Sequence, residues 1–271
     1  MTDWTNATPA QIAEALRTAL LLPGEPVGVR LFDDTEAFDA WDAPHPEVPV
    51  HYCAAVRMAS AGDALKLARA DISCDTSPRT LGLEPGFDDP EFTESYIAGG
   101  LYRDLDVANA VLADVVTLRD TVGVVVAPLG HFGRPAPPDV VIVGTNPYGV
   151  MRVTQAAGFH GLRLRSDAIG MHGICAESTA LPHATGEIGV SLLCSGTRYV
   201  AQWGDDMMSV GIPWSHLPLL ADGLLRTADR YETDERKDRM RSACRRVDGG
   251  SGCVAREVES LTAGAGYFCE G

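Results

Sequence analysis

Two stretches decide the fold: Val122-Gly123-Val124-Val125-Val126-Ala127 and Val140-Val141-Ile142-Val143. Both are apolar and rich in β-branched residues, and neither alternates with polar positions. Runs of this kind suit strands buried on both faces, which require layers of helix above and below a sheet. The segments around them carry helical punctuation. Thr8-Pro9-Ala10-Gln11 reads as a helix start, with Thr8 as N-cap, Pro9 at the first helical position and Gln11 closing a capping box. Asn146-Pro147 reads the same way ahead of a helix over 147–157. The expected fold is therefore α/β: a layered, mixed or parallel sheet with flanking helices.

Working outward, a helix over 10–21 is followed by a strand over 27–32 and a proline-punctuated connection ending at His51. A helix follows from Cys53 to Ala61, then a strand or short helix over 65–72. Residues 75–104 carry Gly, Pro and Asp and read as turns. A helix over 105–118 precedes the two buried strands. A short helix over 175–181, strands over 188–193 and 207–212, and helices over 214–227 and 230–246 complete the pattern. The organisation expected is an N-terminal helix (1–25), an α/β domain (26–227), and a charged helix with a glycine-rich tail (228–271).

The chain has 271 residues, with 45% apolar side chains, enough for a packed core. It carries 22 basic against 37 acidic residues, a net charge of −15, and no basic patch, which argues against a nucleic-acid partner. No signal-like or spanning stretch is visible, so no membrane partner and a cytoplasmic location are expected. In a reducing compartment, seven cysteines point to metal binding or catalysis over disulfides.

Four of them fall into two similar units. Cys53-Ala54 leads one helix and Cys74 closes its unit 21 residues later. Cys175-Ala176 leads another, and Cys194 closes that unit 19 residues later. A histidine precedes each leading thiol, His51 and His172. The pattern suggests two halves, 26–120 and 121–227, related by a pseudo-twofold axis that gathers the four thiols. Helix, turn and strand also recur in any α/β protein, which is the plainer explanation.

Four thiolates from separate segments suit a [4Fe–4S] cluster, one for each iron. Zinc competes for the same four sulfurs, with His51 or His172 as substitute ligands. No tight C-x₂-C spacing singles out either, and buried cysteines behaving as small hydrophobes remain open. Cys194-Ser195-Gly196-Thr197-Arg198 lacks the five-residue spacing of a phosphatase loop. Cys244, Cys253 and Cys269 lie in the charged helix and tail and stand apart from the quartet. Arg57, Arg198, Glu177 and His183 lie close in sequence to the thiols, where arginines bind anionic groups and His or Glu moves protons.

The sequence resembles the DUF169 (ArCR) family. The resemblance rests on His51-Tyr52-Cys53-Ala54-Ala55-Val56, Ile72-Ser73-Cys74, Leu81-Gly82-Leu83, Pro138-Asp139-Val140-Val141 and Asn146-Pro147. It continues through Cys175-Ala176, Leu181-Pro182, the run 190–198 and Val210-Gly211-Ile212-Pro213. The resemblance implies that Cys53, Cys74, Cys175 and Cys194 belong to a shared pattern in a family associated with iron–sulfur or redox chemistry. Asp75-Thr76-Ser77 departs from the small residues and glycine usual after the second thiol. The expectation is an iron–sulfur protein, an oxidoreductase or a lyase, acting on a small molecule and served by an electron-donor protein. The alternative is a zinc-stapled or thiol-only binding protein without turnover.

Overall fold

The computed structural model describes residues 4–87, 89–133, 136–166, 169–227 and 232–247. In chain order the elements are α1 (Pro9–Leu20), β1 (Val27–Phe32), α2 (Thr35–Asp39), α3 (Tyr52–Ala61), β2 (Leu65–Leu67), α4 (Thr76–Leu81), α5 (Pro90–Ala98) and α6 (Leu105–Ala113). Then come β3 (Gly123–Pro128), β4 (Val140–Thr145), α7 (Pro147–Phe159), β5 (Leu164–Arg165) and a π-helix, Gly173–Ala180, that runs into α8 (Leu181–Thr185). After β6 (Ile188–Ser191) a second π-helix spans Gly196–Val200. β7 (Met208–Pro213), α9 (Leu217–Arg226) and α10 (Asp234–Val247) follow.

The seven strands form one sheet in the order β2-β3-β1-β4-β7-β6-β5. Every pairing is antiparallel except β5 with β6, so the sheet is mixed and mostly antiparallel. The apolar runs behave as double-sided strands. Along β4, Val141 and Val143 join a core with α1, α7 and α9 on one face. Val140 and Ile142 join the core on the other face, with α3, Leu81 of α4, and the first π-helix.

Two sets of three strands, β1 with β3 and β2, and β4 with β7 and β6, share an order and a register. β3 therefore groups with the first set, and the division falls after residue 128 instead of the expected 120. β1 begins with Val27 opposite Pro128 of β3, and β4 begins with Val140 opposite Pro213 of β7. Each proline is followed by a tight helical turn whose first N–H reaches back beside the partner strand. Leu129 donates to the Pro26 carbonyl at 2.8 Å, and Trp214 donates to that of Asp139 at 3.0 Å. The outer strands repeat the relation, with Leu65 opposite Val126 and Gly189 opposite Gly211.

Several boundaries follow local chemistry. Thr8 and Gln11 form the capping box of α1, and Asn146 caps α7 by accepting from the Gly149 N–H. The stretch 75–104 differs from its reading as turns, because it holds α4 and α5. Asp89 accepts from the N–H groups of Glu91 and Phe92, and Pro90 takes the first helical position. The helix expected over 175–181 is a π-helix, and the chain after Cys194 forms a second one. The first π-helix lies on bare sheet. A Cβ at Gly211 would stand 2.1 Å from the Ser178 carbonyl oxygen, and one at Gly189 would stand 1.9 Å from that of Glu177. No side chain larger than hydrogen fits between sheet and helix there.

Cys244 falls within α10, while Cys253 and Cys269 lie outside the described residues. Among the described residues, no helix is long and apolar enough to cross a membrane.

Candidate functional site

Cys53, Cys74, Cys175 and Cys194 line a single cavity of about 190 Å³, on the face of the sheet that carries α3 and the first π-helix. All four are free thiols; Cys53 and Cys175 are buried, and the other two are half-buried. In each unit a backbone contact ties the two thiols together. The Val50 N–H bonds to Asp71 and the Ser73 N–H bonds to Val50, so the chain entering α3 runs beside the chain reaching Cys74. In the second unit Gly173 presses against Leu193 and Cys194, where a Cβ would stand 2.9 Å from the Leu193 Cα. Leu193 itself takes the left-handed conformation, with φ of 69°, a local cost that turns the chain just before the thiol.

Each unit carries a hydroxyl at its second thiol that also acts on the other unit. Cys74 donates to the Ser77 Oγ at 3.0 Å, and the Ser77 hydroxyl opposes the upward pKa shift of Cys175. Cys194 and the Thr197 hydroxyl are 3.1 Å apart, and the Thr197 hydroxyl opposes the upward pKa shift of Cys53. Each hydroxyl stands three residues after the second thiol of its own unit and acts on the first thiol of the other. Tyr52 joins the leading helices, its fully buried hydroxyl lying 3.0 Å from that of Thr179. Thr179 donates to the Ile174 carbonyl, so Tyr52 is the donor to Thr179.

Helix starts differ in capping, and α8 and α9, which lie outside the thiol cavity, have no side-chain cap. α1, α2, α5, α6 and α7 are capped by the side chains of Thr8, Asp34, Asp89, Asp104 and Asn146. The four helices that begin at the thiols have no side-chain cap. These are α3 after His51, α4 after Asp75, and the π-helices after His172 and Ser195. Their first turns have no side-chain acceptor, and helix N-termini favour negative charge.

Burial pushes the Cys53 thiol up to about 12, with the neighbouring Cys194 and Cys74 adding to the shift and Thr197 opposing it. Cys175 is held well above its ordinary value, first by burial and then by Cys194 and Cys74. Without a cation these thiols therefore stay protonated at neutral pH. A metal centre reverses that balance by neutralising the thiolates it binds. Among the described residues, no three His, Cys, Asp or Glu are grouped as ligands of one metal ion. The sulfurs border a space instead of converging on a point.

His51 also lines the cavity, with Tyr96, Leu101, Met171 and Ile174. Tyr96 comes from α5, and its hydroxyl is 2.9 Å from that of Thr76. The Asp89-Pro90 helix start is the signal that would have drawn attention to it. His172 is buried behind the thiols, its ring stacked on Tyr96 at 5.8 Å and 17°. Glu177 is buried on the first π-helix, and its Oε1 accepts from the Ile169 N–H. The other expected residues lie away from the cavity lining. Arg57 donates to the Ala201 carbonyl, and Arg198 donates to those of Gly204, Leu192 and Met207. His183 is exposed on α8.

The sequence pattern of the family described as DUF169, uncharacterised ArCR, matches residues 15–223, most of the chain. The chain belongs to this family. No curated protein and no solved structure matches it. The matched span of this DUF169 chain contains both thiol pairs, Ser77, Thr197 and Tyr96, and leaves Cys244, Cys253 and Cys269 beyond its end.

Proposed function

We propose that this DUF169 protein holds a [4Fe–4S] cluster on Cys53, Cys74, Cys175 and Cys194 and uses it to transform a small molecule. The observation that carries the reading is the convergence of four thiols and four uncapped helix starts on one cavity. A thiolate-ligated cluster carries net negative charge, and hydrogen bonds to its sulfurs tune its potential. Helix N-termini and the Ser77 and Thr197 hydroxyls supply such donors. A lone zinc ion needs four sulfurs at about 2.3 Å, which suits a cavity bordered by the thiols less well.

When bound, the cluster supplies one-electron chemistry, and four thiolates for four irons favour that use over an open, Lewis-acidic iron. The residues of the chain hold and insulate it. Tyr52 and Thr179 lock the two leading helices together, and Leu101, Met171 and Ile174 limit water at the sulfurs. We further propose that the two thiol units descend from one duplicated unit related by a pseudo-twofold axis. The matched strand registers and the crossed hydroxyls support this.

Protein purified without oxygen is expected to be brown and to contain iron with acid-labile sulfide. Replacing Cys194 by Ser should abolish the visible absorption, and replacing Cys269 by Ser should leave it intact. Folded, colourless protein carrying zinc or no metal would eliminate the proposal.

A further inference from the structure

A second cavity adjoins the thiol cavity across the first π-helix. We propose that it binds a small, uncharged organic molecule with an apolar body and a hydroxyl or amide end, held by His172. This takes up the small-molecule part of the reading above and does not depend on the cluster.

The cavity is about 600 Å³, several times the space between the thiols, and falls in the range of small-molecule sites. Val111, Val115, Val116, Ile169 and Leu181 give it an apolar wall. His172 lines it and is 0% exposed, yet neither ring nitrogen has a hydrogen-bond partner. Its ring is packed between two others, stacked on Tyr96 and T-shaped against Phe87 with ring centres 4.9 Å apart. Buried polar atoms are rarely left unpaired, so this imidazole is waiting for a partner from the cavity. Burial holds His172 neutral, with its pKa lowered to about 4. A neutral imidazole offers one N–H and one bare nitrogen, which match a group that both donates and accepts.

The charges on the wall select against an anion. Asp114 and Glu177 line the cavity, and Arg165 there faces Glu187 at 3.7 Å. The placement also links the two cavities. One π-helix turn contributes Ile174 and Cys175 to the thiol cavity and Ala176 and Glu177 to this one. π-helical turns inside proteins recur at functional sites. A molecule in the larger cavity would lie one layer of side chains from the sulfurs.

The test is ¹⁵N-resolved NMR of the histidine rings in the full-length chain, with benzyl alcohol and benzamide as probes and benzoate as the charged comparison. His172→Phe assigns the His172 signals. Val115→Trp fills the cavity from a half-buried position, away from the thiols. The neutral probes should shift the His172 nitrogens, bind at least tenfold more weakly to both variants, and outcompete benzoate. Unmoved His172 signals, equal binding to Val115→Trp, or benzoate binding as well as the alcohol would each overturn the proposal. Iron measured on the same samples separates the two readings. Probe binding in iron-free protein removes the cluster and keeps this site, whereas iron without a probe response does the reverse.

Discussion

The two thiol units share a plan and differ in regularity. The first carries Cys53 on an ordinary α-helix and Cys74 ahead of a short one, α4. The second carries Cys175 on a π-helix and Cys194 ahead of another. Where the first unit has Val126 two residues before its strand-ending proline, the second has Gly211. That glycine, with Gly189, lets the π-helix lie directly on the sheet. The deformation is thus confined to one half, the half that holds His172, Glu177 and the large cavity. The difference suggests that the regular unit supplies ligands and scaffold, while the distorted one supplies ligands and a binding site.

The largest expected effect tests what the halves share. Replacing Cys53 or Cys194 by Ser should remove most of the iron in either case, measured as iron per folded chain. A loss confined to one unit would break the equivalence. The next effect tests what separates them. Gly211→Ala drives a methyl group into the Ser178 carbonyl and should cost about 3 kcal/mol in denaturant unfolding. Val126→Ala only trims a buried side chain and should cost about 1–2 kcal/mol.

A pH effect of similar size belongs to the second half alone. An unfolded histidine takes up its proton near pH 6.5, whereas His172 resists until about 4. The unfolded chain therefore binds more protons across that window. Stability should be full above pH 6.5 and fall by ~3 kcal/mol as pH drops to 4. His172→Phe should flatten this part of the unfolding profile. The smallest effects sharpen the comparison again. Thr197→Val and Ser77→Ala should each cost about 1 kcal/mol, and similar values would fit hydroxyls that play the same part in each half.

How much could be read from the sequence depended on whether the signal was local. The capping box at Thr8 and Gln11 and the Asn146-Pro147 start involve neighbours in sequence, and both formed as expected. The double-sided apolar runs disclosed the layers, but a run such as Val140–Thr145 does not encode the direction of its partners. There β4 pairs antiparallel with β7, and α7, β5, α8, β6 and both π-helices lie between the two strands in sequence, so the direction is set by long-range packing. Asp89-Pro90 repeats the same start signal inside a stretch dense in Gly and Asp, and it carries Tyr96 to the thiols. The four cysteines could be named from residue type and spacing. The π-helices could not, because they arise where Gly189 and Gly211 from distant strands admit a helix backbone. Arg57 and Arg198 look in sequence like partners for the site, and their guanidinium groups bind loop carbonyls.

The most direct test of the account is the iron and acid-labile sulfide content of the full-length chain purified without oxygen, read together with its electron paramagnetic resonance spectrum after reduction. The account predicts about four of each per chain and a signal of a reduced cubane cluster. Folded protein with about one zinc and no sulfide, or with no metal, would contradict it.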